Sequence, residues 1–464
     1  MLRKEPERQQ SFYCVLYDKI PEDHILKQVS KAVDFGFINE LLEGSYCKNF
    51  GRPAKEPEMM MKLLFLEYLY NLSDVKVIEE ASLNLVYLWF LGLNPEDKLP
   101  DPSLLAKFRT QRLKDITLDD VISEIVRQCV EQGLIKGDSL TVDTTHIEAN
   151  CTKKVPERIM KHLAKRIFKG LEIDNGQIPV TVDTAIPDYT QIEDHKQAKQ
   201  IYGYKTELTM TADERIITAA DTHSGEYVDG KEFAPLLERT QNAGVTVHEL
   251  YGDKAYFRKD ILEMLEKQKI KGYIPVSASV YKIDEELFSY NKDSDQWFCF
   301  MGNYTVGCKK KIRHKGTDRQ YEYYSYLFKK EQCRNCPHRD QCMGKNKTQA
   351  RRLDVSATTP LFYEKSQKQK TPEFQEKYKK RSAQEWKNGE MKRFHGMVRA
   401  RGWGLRSVST QVKLTVIAVN LKRIAALVNI REQLNCKINR LILRIETFLP
   451  QFSKSIPLLA EIIT

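Results

Sequence analysis

Tyr378, Arg381, Glu385 and Lys392 stand at offsets of 0, 3, 7 and 14 along one stretch of the chain. On a helix turning roughly 100° per residue, all four fall within about 60° of arc. One face then carries a phenol, two cations and a single carboxylate. That composition suits holding a divalent metal beside a phosphodiester and does not suit packing a core. Start signals for such a helix are present, with Thr371 as N-cap, Pro372 at the first helical position, and Glu373 and Glu376 near the positive end of the dipole. Gly389 weakens the helix, and Gly396 is expected to end or kink it. From Lys377 to Arg406 the cations Lys377, Lys379, Lys380, Arg381, Lys387, Lys392, Arg393, Arg399, Arg401 and Arg406 meet only Glu385 and Glu390. Such a surface should attract a polyanion; the plainer alternative is a solvated basic helix.

Metal-assisted phosphoryl chemistry needs further carboxylates, delivered from separate elements so that two cations can sit about 4 Å apart. Two candidates stand out. Leu140 to Glu148 alternates apolar and polar residues as a half-buried strand does, with Asp143 in its middle. Asp253 follows the β-prone run beginning at Val245 and precedes a predicted helix from Lys259 to Lys269, so it sits where a strand gives way to a loop. Taken singly, either Asp reads more readily as a cap or turn residue. Glu390 lies about 120° from Tyr378 and is rejected as a third carboxylate. Glu148, five residues beyond Asp143, falls on the opposite strand face and is assigned to solvation. His146 is read as structural and Trp386 as a packing residue, while Trp403 is a lesser candidate for stacking on a flipped base.

Together these residues resemble a known family. Asp143, Asp253 and Glu385 look like the acidic triad of DDE transposases with an RNase H-like catalytic core. The segment from Tyr378 to Lys392 matches the Y-(2)-R-(3)-E-(6)-K signature of a large group of bacterial insertion-sequence enzymes. Gly203-Tyr204-Lys205 resembles the start of the family's second core strand. Asp229 resembles the position after its third strand, and Gln411 to Arg423 its C-terminal helix. The stretch from Gly51 through Arg109 and Arg112 is similar to the helical N-terminal domain of such enzymes. The resemblance covers all but the first 15 or so residues and the tail beyond about 435.

What the resemblance implies is a DNA transposase that binds the ends of its element and catalyses strand cleavage and strand transfer. Asp143, Asp253 and Glu385 would coordinate two Mg²⁺ or Mn²⁺ ions, since oxygen donors favour hard cations. Arg381 and Lys392 would hold phosphates, the first bidentately and the second as a point charge, with Tyr378 against the DNA backbone. Two readings compete: a metal-dependent nuclease without strand transfer, and a catalytically silent DNA-binding descendant.

Composition agrees with an acidic partner, for the 464 residues carry a formal net charge of +11. No apolar run approaches the roughly 20 residues needed to span a bilayer, and the N-terminus lacks an apolar signal region. A cytoplasmic protein without a membrane partner is therefore expected, its ten cysteines mostly reduced. A homodimer is expected in an end-paired complex.

The elements that must position the site read as follows. Residues 1–132 form a helical N-terminal, DNA-end-binding domain, with helices from Pro57 to Tyr70 and from Asp74 to Trp89, and a turn at Pro100-Asp101-Pro102-Ser103 that caps another helix through Arg112. Its Met and aromatic positions are read as core, and Arg52, Lys55, Lys107, Arg109, Arg112 and Lys114 as a candidate DNA face. Residues 133–277 form the first part of an α/β core. Strands are predicted at Ser139 to Ala149, Tyr202 to Thr211 and Ile216 to Asp221, followed by a helix from Lys231 to Ala243, a strand from Val245 to Leu250, a further helix and a strand at Gly272 to Val276. That order fits a mixed sheet flanked by helices. A charged excursion occupies 150–200. Residues 278–370 are an insertion, 371–434 the second part of the core, and 435–464 a helical tail. The insertion holds a basic run from Lys309 to Lys315 and five cysteines: Cys299, Cys308, Cys333, Cys336 and Cys342. A structural zinc site from Cys333, Cys336, Cys342 and one of Cys299 or Cys308 stands level with reduced free thiols. His338 is a spare ligand, more readily a surface residue.

Overall fold

Apolar residues at helical spacing draw the first part of the chain into helices in the computed structural model, which describes residues 10–47, 53–113, 115–150, 202–314, 321–343 and 350–448. They are α1 (Ile25–Ala32), α2 (Phe37–Glu43), α3 (Pro57–Leu69), α4 (Asp74–Leu83), α5 (Leu85–Phe90), α6 (Ser103–Gln111) and α7 (Asp115–Glu131). Pro57 opens α3, and Met59, Met60 and Met61 are all buried as core. The single helix predicted from Asp74 to Trp89 is instead two. Asn84 leaves helical backbone, and its side chain accepts from the Val86 N–H at 2.9 Å, which starts α5 afresh.

Alternating and β-branched runs then build a five-stranded sheet in the order β3-β2-β1-β4-β5. Its strands are β1 (Ser139–Glu148), β2 (Gly203–Thr211), β3 (Ile217–Ser224), β4 (Glu249–Tyr251) and β5 (Lys271–Tyr273). The pairs β1–β2 and β2–β3 are antiparallel, while β1–β4 and β4–β5 are parallel. Helices α8 (Phe233–Asn242) and α9 (Lys259–Lys267) make the connections that parallel neighbours require. β4 is shorter than its sequence suggests, because Val245 and Val247 are buried outside the sheet and only Glu249–Tyr251 pairs. The excursion at 151–201 lies outside the described residues, as do Arg52 and Lys114.

After β5 the chain leaves the central sheet for the insertion. Strands β6 (Phe288–Asn291) and β7 (Gln296–Cys299) form a hairpin, and β8 (Thr305–Arg313), β9 (Tyr321–Phe328) and β10 (Arg352–Ser356) an antiparallel sheet. Two short helices, α10 (Lys330–Arg334) and α11 (Arg339–Met343), precede β10. The insertion has its own small core of Phe288, Trp297, Tyr326, Phe328, Leu353 and Val355.

The chain returns through α12 (Thr359–Gln369), α13 (Pro372–Tyr378), α14 (Ser382–Phe394) and the long α15 (Leu405–Phe448), which runs without a break across residue 434. Asn420 on α15 grips the edge strand β3, accepting from the Ile217 N–H at 2.9 Å and donating to the Ile217 carbonyl at 2.7 Å. The main core is continuous from the N-terminal helices through the central sheet to α15. A row of four rings ties β4 and β5 to α13: Tyr251 to Tyr273 at 5.2 Å, Tyr273 to Phe374 at 5.5 Å, and Phe374 to Tyr378 at 5.9 Å between centroids. Among the described residues no helix is long and apolar enough to cross a membrane.

Candidate active site

β1 lies between β2 and β4, but β4 pairs with it only as far as Thr141. Asp143 stands just beyond that point, paired opposite Leu208 on β2, with its side chain 15% exposed. Burial pushes its carboxyl up to about 6, opposed by the Arg381 guanidinium and assisted by the charges of Asp253 and Glu385. The three acids thus act on one neighbourhood.

Asp253 follows β4 and caps the 3₁₀ turn Lys254–Tyr256, its Oδ1 accepting from the Ala255 N–H at 2.7 Å. Gly252 lets this turn lie against the sheet, because a Cβ there would stand 3.3 Å from both Val142 Cγ1 and Tyr256 Cβ. A larger residue would push Asp253 away from β1.

Glu385 is carried by α14. The one continuous helix expected from Thr371 is divided into α13, a 3₁₀ turn at Lys379–Arg381, and α14. Thr371 does cap α13, and α14 ends at Phe394 before Gly396 at φ 68°. Arg381 bridges two of the acids: its Nη1 donates to Glu385 Oε1 at 2.9 Å, and its Nη2 lies 3.7 Å from Asp143 Oδ1. Tyr378 is half-buried, its phenol raised first by burial and further by the charges of Asp253 and Asp143, with Arg381 opposing. Burial lowers the Lys392 ammonium, and Asp143 counters it. All six residues singled out by spacing and strand position therefore share one electrostatic environment.

Two side chains that the sequence analysis passed over complete it. Asn388 Nδ2 donates to Asp143 Oδ2 at 3.0 Å, and its Oδ1 is buried with no partner. Gln384 Oε1 accepts from Thr141 Oγ1 at 2.7 Å, pinning α14 to β1 two residues before Asp143. Asn388 had a legible signal, for on an unbroken helix it falls about 20° beyond Arg381 on the same face. Glu390 turns elsewhere, to Lys387 at 3.0 Å and Lys422 at 2.8 Å. Glu148 is exposed. Trp386 is not a packing residue: it is 76% exposed, because Ala383, Gln384, Lys387 and Met391 make the buried face of α14. Trp403 is 83% exposed.

Among the described residues no three His, Cys, Asp or Glu side chains converge as they would in a closed metal site. The donor set nonetheless fits a hard cation. Three carboxylates come from three elements, one of them held above its usual range by burial, and Arg381 supplies their countercharge.

Elsewhere the five insertion cysteines divide. Cys299, Cys333, Cys336 and Cys342 line one small cavity. Cys308 does not; it is exposed on β8, pairs across to Tyr326, and hydrogen-bonds that phenol. His338 packs its ring edge-on to Phe300 at 5.0 Å. Of the N-terminal cations, Lys55, Lys107 and Arg112 border a common groove with Tyr46 and Leu104. Arg109 departs from that face and turns inward, to Glu67 at 2.7 Å and Asp74 at 2.6 Å, because the nearly buried Glu67 requires a countercharge.

Residues 14–111 match a family model described as a transposase domain (DUF772), and residues 299–425 one described as a transposase DDE domain. The second stretch includes Tyr378, Arg381, Glu385 and Lys392; Asp143 and Asp253 lie outside both. No curated protein matches the chain. Among solved structures, the chain is similar to a piggyBac transposase synaptic complex with hairpin DNA, at 10% identity and a TM-score of 0.30, over 87% of this chain and 76% of that one. It is also similar to a Mos1 transposase paired-end complex with left transposon end, at 11% identity and 0.17, over 49% and 61%. A Mos1 mariner paired end complex with Mn matches at 12% identity and 0.16, over 51% and 64%. Likeness this slight transfers no residue roles.

Proposed function

The chain belongs to the DDE transposases, and from that premise we propose that Asp143, Asp253 and Glu385 are the acids with which it cuts and joins DNA. The observation that carries this reading is Arg381, whose single guanidinium pairs with both Asp143 and Glu385 while Asp253 adds to the same field. That shared countercharge, together with the field of Asp253, brings acids from three separate elements to one place. The sheet order, with three antiparallel strands followed by two parallel ones, is that of an RNase H-like core and supports the same assignment.

Asp143, Asp253 and Glu385 would hold Mg²⁺ or Mn²⁺. Bound there, a pair of such cations supplies an activated hydroxyl nucleophile and stabilises the leaving oxygen of an in-line displacement. The chain's own residues do the rest. Asn388 fixes the rotation of the Asp143 carboxylate through Oδ2. Gln384 holds the helix of Glu385 against β1. Arg381, once its carboxylates are engaged elsewhere, presents a planar fork to a phosphate, and Lys392 adds a point charge on the same side. Tyr378 closes the edge of the site against the DNA backbone. The partners are the double-stranded ends of an insertion sequence and a target duplex, brought together by a homodimer, with residues 14–111 contributing end binding.

The test uses the full-length protein on a duplex bearing the inverted ends that flank its gene, with Mg²⁺ or Mn²⁺. Wild-type protein is expected to nick and then join. Removing one stabilising group of this kind typically costs about 10²–10³ in rate, so D143N, D253N and E385Q should each fall at least that far while still binding DNA. Nicking without joined product would favour a nuclease, and unchanged cleavage by any of the three variants would reject the triad.

A further inference from the structure

We propose that Cys299, Cys333, Cys336 and Cys342 form a tetrahedral zinc site that staples the insertion together, with Cys308 excluded. The four thiols come from three places in the fold: the end of β7, the helix α10 and the turn after it, and α11. All four line one cavity of about 30 Å³; their thiols border it without yet meeting at one point, so a bound ion would draw them in. Cys299 sits at a tight turn, its N–H donating to the Asn303 carbonyl and its own carbonyl accepting from the Gly302 N–H, both at 2.8 Å. Cys333 and Cys336 have the two-residue spacing of a metal knuckle, and Cys342 follows on the next helix.

Charge balance points the same way. Four thiolates around Zn²⁺ carry a net charge of −2, and two arginines border this cavity. Arg339 Nη1 donates to the Cys333 carbonyl and Arg351 Nη1 to the Cys342 carbonyl, each at 2.8 Å, so both guanidiniums are fixed to the backbone of the cysteines they would neutralise. Arg351 Nε is buried with no partner. Arg351 also lies over the Phe288 ring at 5.4 Å, on a cavity otherwise bordered by apolar side chains such as Phe300 and Phe328.

The insertion also needs such a staple. Among the described residues its own core has six buried apolar side chains, and α10 contributes none of them. Cores this small are commonly reinforced by a metal or by disulfides, and the described cysteines are all unpaired. Four ionised thiols would close around a divalent ion at about 2.3 Å. Binding replaces four S–H protons with four S–Zn bonds, the protons passing to solvent, with no change of oxidation state.

The test is metal analysis of the full-length chain purified under reducing conditions from zinc-supplemented cells. About one zinc per chain is expected in wild-type protein and in C308S, and a loss of most of it in C299S, C333S, C336S and C342S. D143N should keep its zinc, which separates failure here from failure of the proposed triad. Should the cysteine variants not fold, cobalt added to zinc-stripped wild-type chain decides, through the thiolate charge-transfer and tetrahedral ligand-field bands of a four-sulfur site. No retained zinc together with no thiolate–cobalt absorption, a C308S chain as depleted as C333S, or a disulfide between Cys333 and Cys336 in the reduced protein would each overturn the proposal.

Discussion

Asn388 shows how much a single amide contributes to an acidic site. Its hydrogen bond to Asp143 Oδ2 restrains a carboxylate whose Oδ1 faces Arg381. Loss of such an outer partner of a metal-binding carboxylate typically costs about 10–100-fold in metal affinity or activity. N388A is therefore expected to slow single-turnover nicking by that factor and to raise the Mg²⁺ concentration needed for half-maximal rate, with little change in melting temperature; a rate equal to wild type would deny Asn388 this role. The residues of the 378–392 stripe were legible in the sequence because a helix turns spacing directly into a shared face. Asn388 lay on that face and was passed over because amides carry no charge to attract attention. Trp386 was misread for the opposite reason. Its apolar ring suggested a core, but ring size says nothing about which side of α14 meets the sheet, and that side is set by Ala383, Gln384, Lys387 and Met391.

Elements were legible where local signals agreed, as at Pro57, Thr371 and Gly396, and less so where tertiary contacts decide. β4 shrank to three residues because its parallel neighbours pair only at Glu249–Tyr251, and no local pattern encodes a partner's register. The seam between the N-terminal helices and the catalytic region was equally hidden. Glu67 on α3 is paired with Arg109 on α6 and with Arg401 beyond α14, the latter at 3.2 Å, and burial pushes its carboxyl up to about 7 despite both arginines. A carboxyl raised in the folded state adds stability that is fully present below its unfolded value and is lost as pH rises through the folded one. Melting temperature should consequently decline from about pH 4.5 to 7 through this group, and E67Q should flatten that stretch of the profile; an unchanged slope would show that Glu67 is ionised throughout. The ring row makes a second claim at this scale. Phe374 is 4% exposed, and truncating a buried Phe costs about 3–5 kcal/mol, so F374A should shift chemical denaturation by that amount.

For the whole molecule, carrying a net charge of +11, the salt dependence of the proposed DNA binding would count the phosphates that its cations meet. Lys309, Lys310 and Arg313 lie exposed along β8, where the predicted basic run becomes an edge strand of the insertion's sheet. If that edge lies against duplex, K309A should reduce the slope of log affinity against log salt by about 0.9, and an unchanged slope would remove β8 from the contact. The ring row bears on architecture as well. The chain departs for the insertion directly after Tyr273 and comes back just before Phe374, and those two rings touch. Entry and exit are thus clamped side by side, and Phe362 against Phe257 at 4.9 Å and the Val276 N–H on Gln369 Oε1 at 2.9 Å tighten the same root, so the insertion's own small core hangs from the body by one seam. Closing a longer excursion costs little extra entropy. The region could be trimmed, swapped or enlarged over generations while the clamp kept Glu385 at its station.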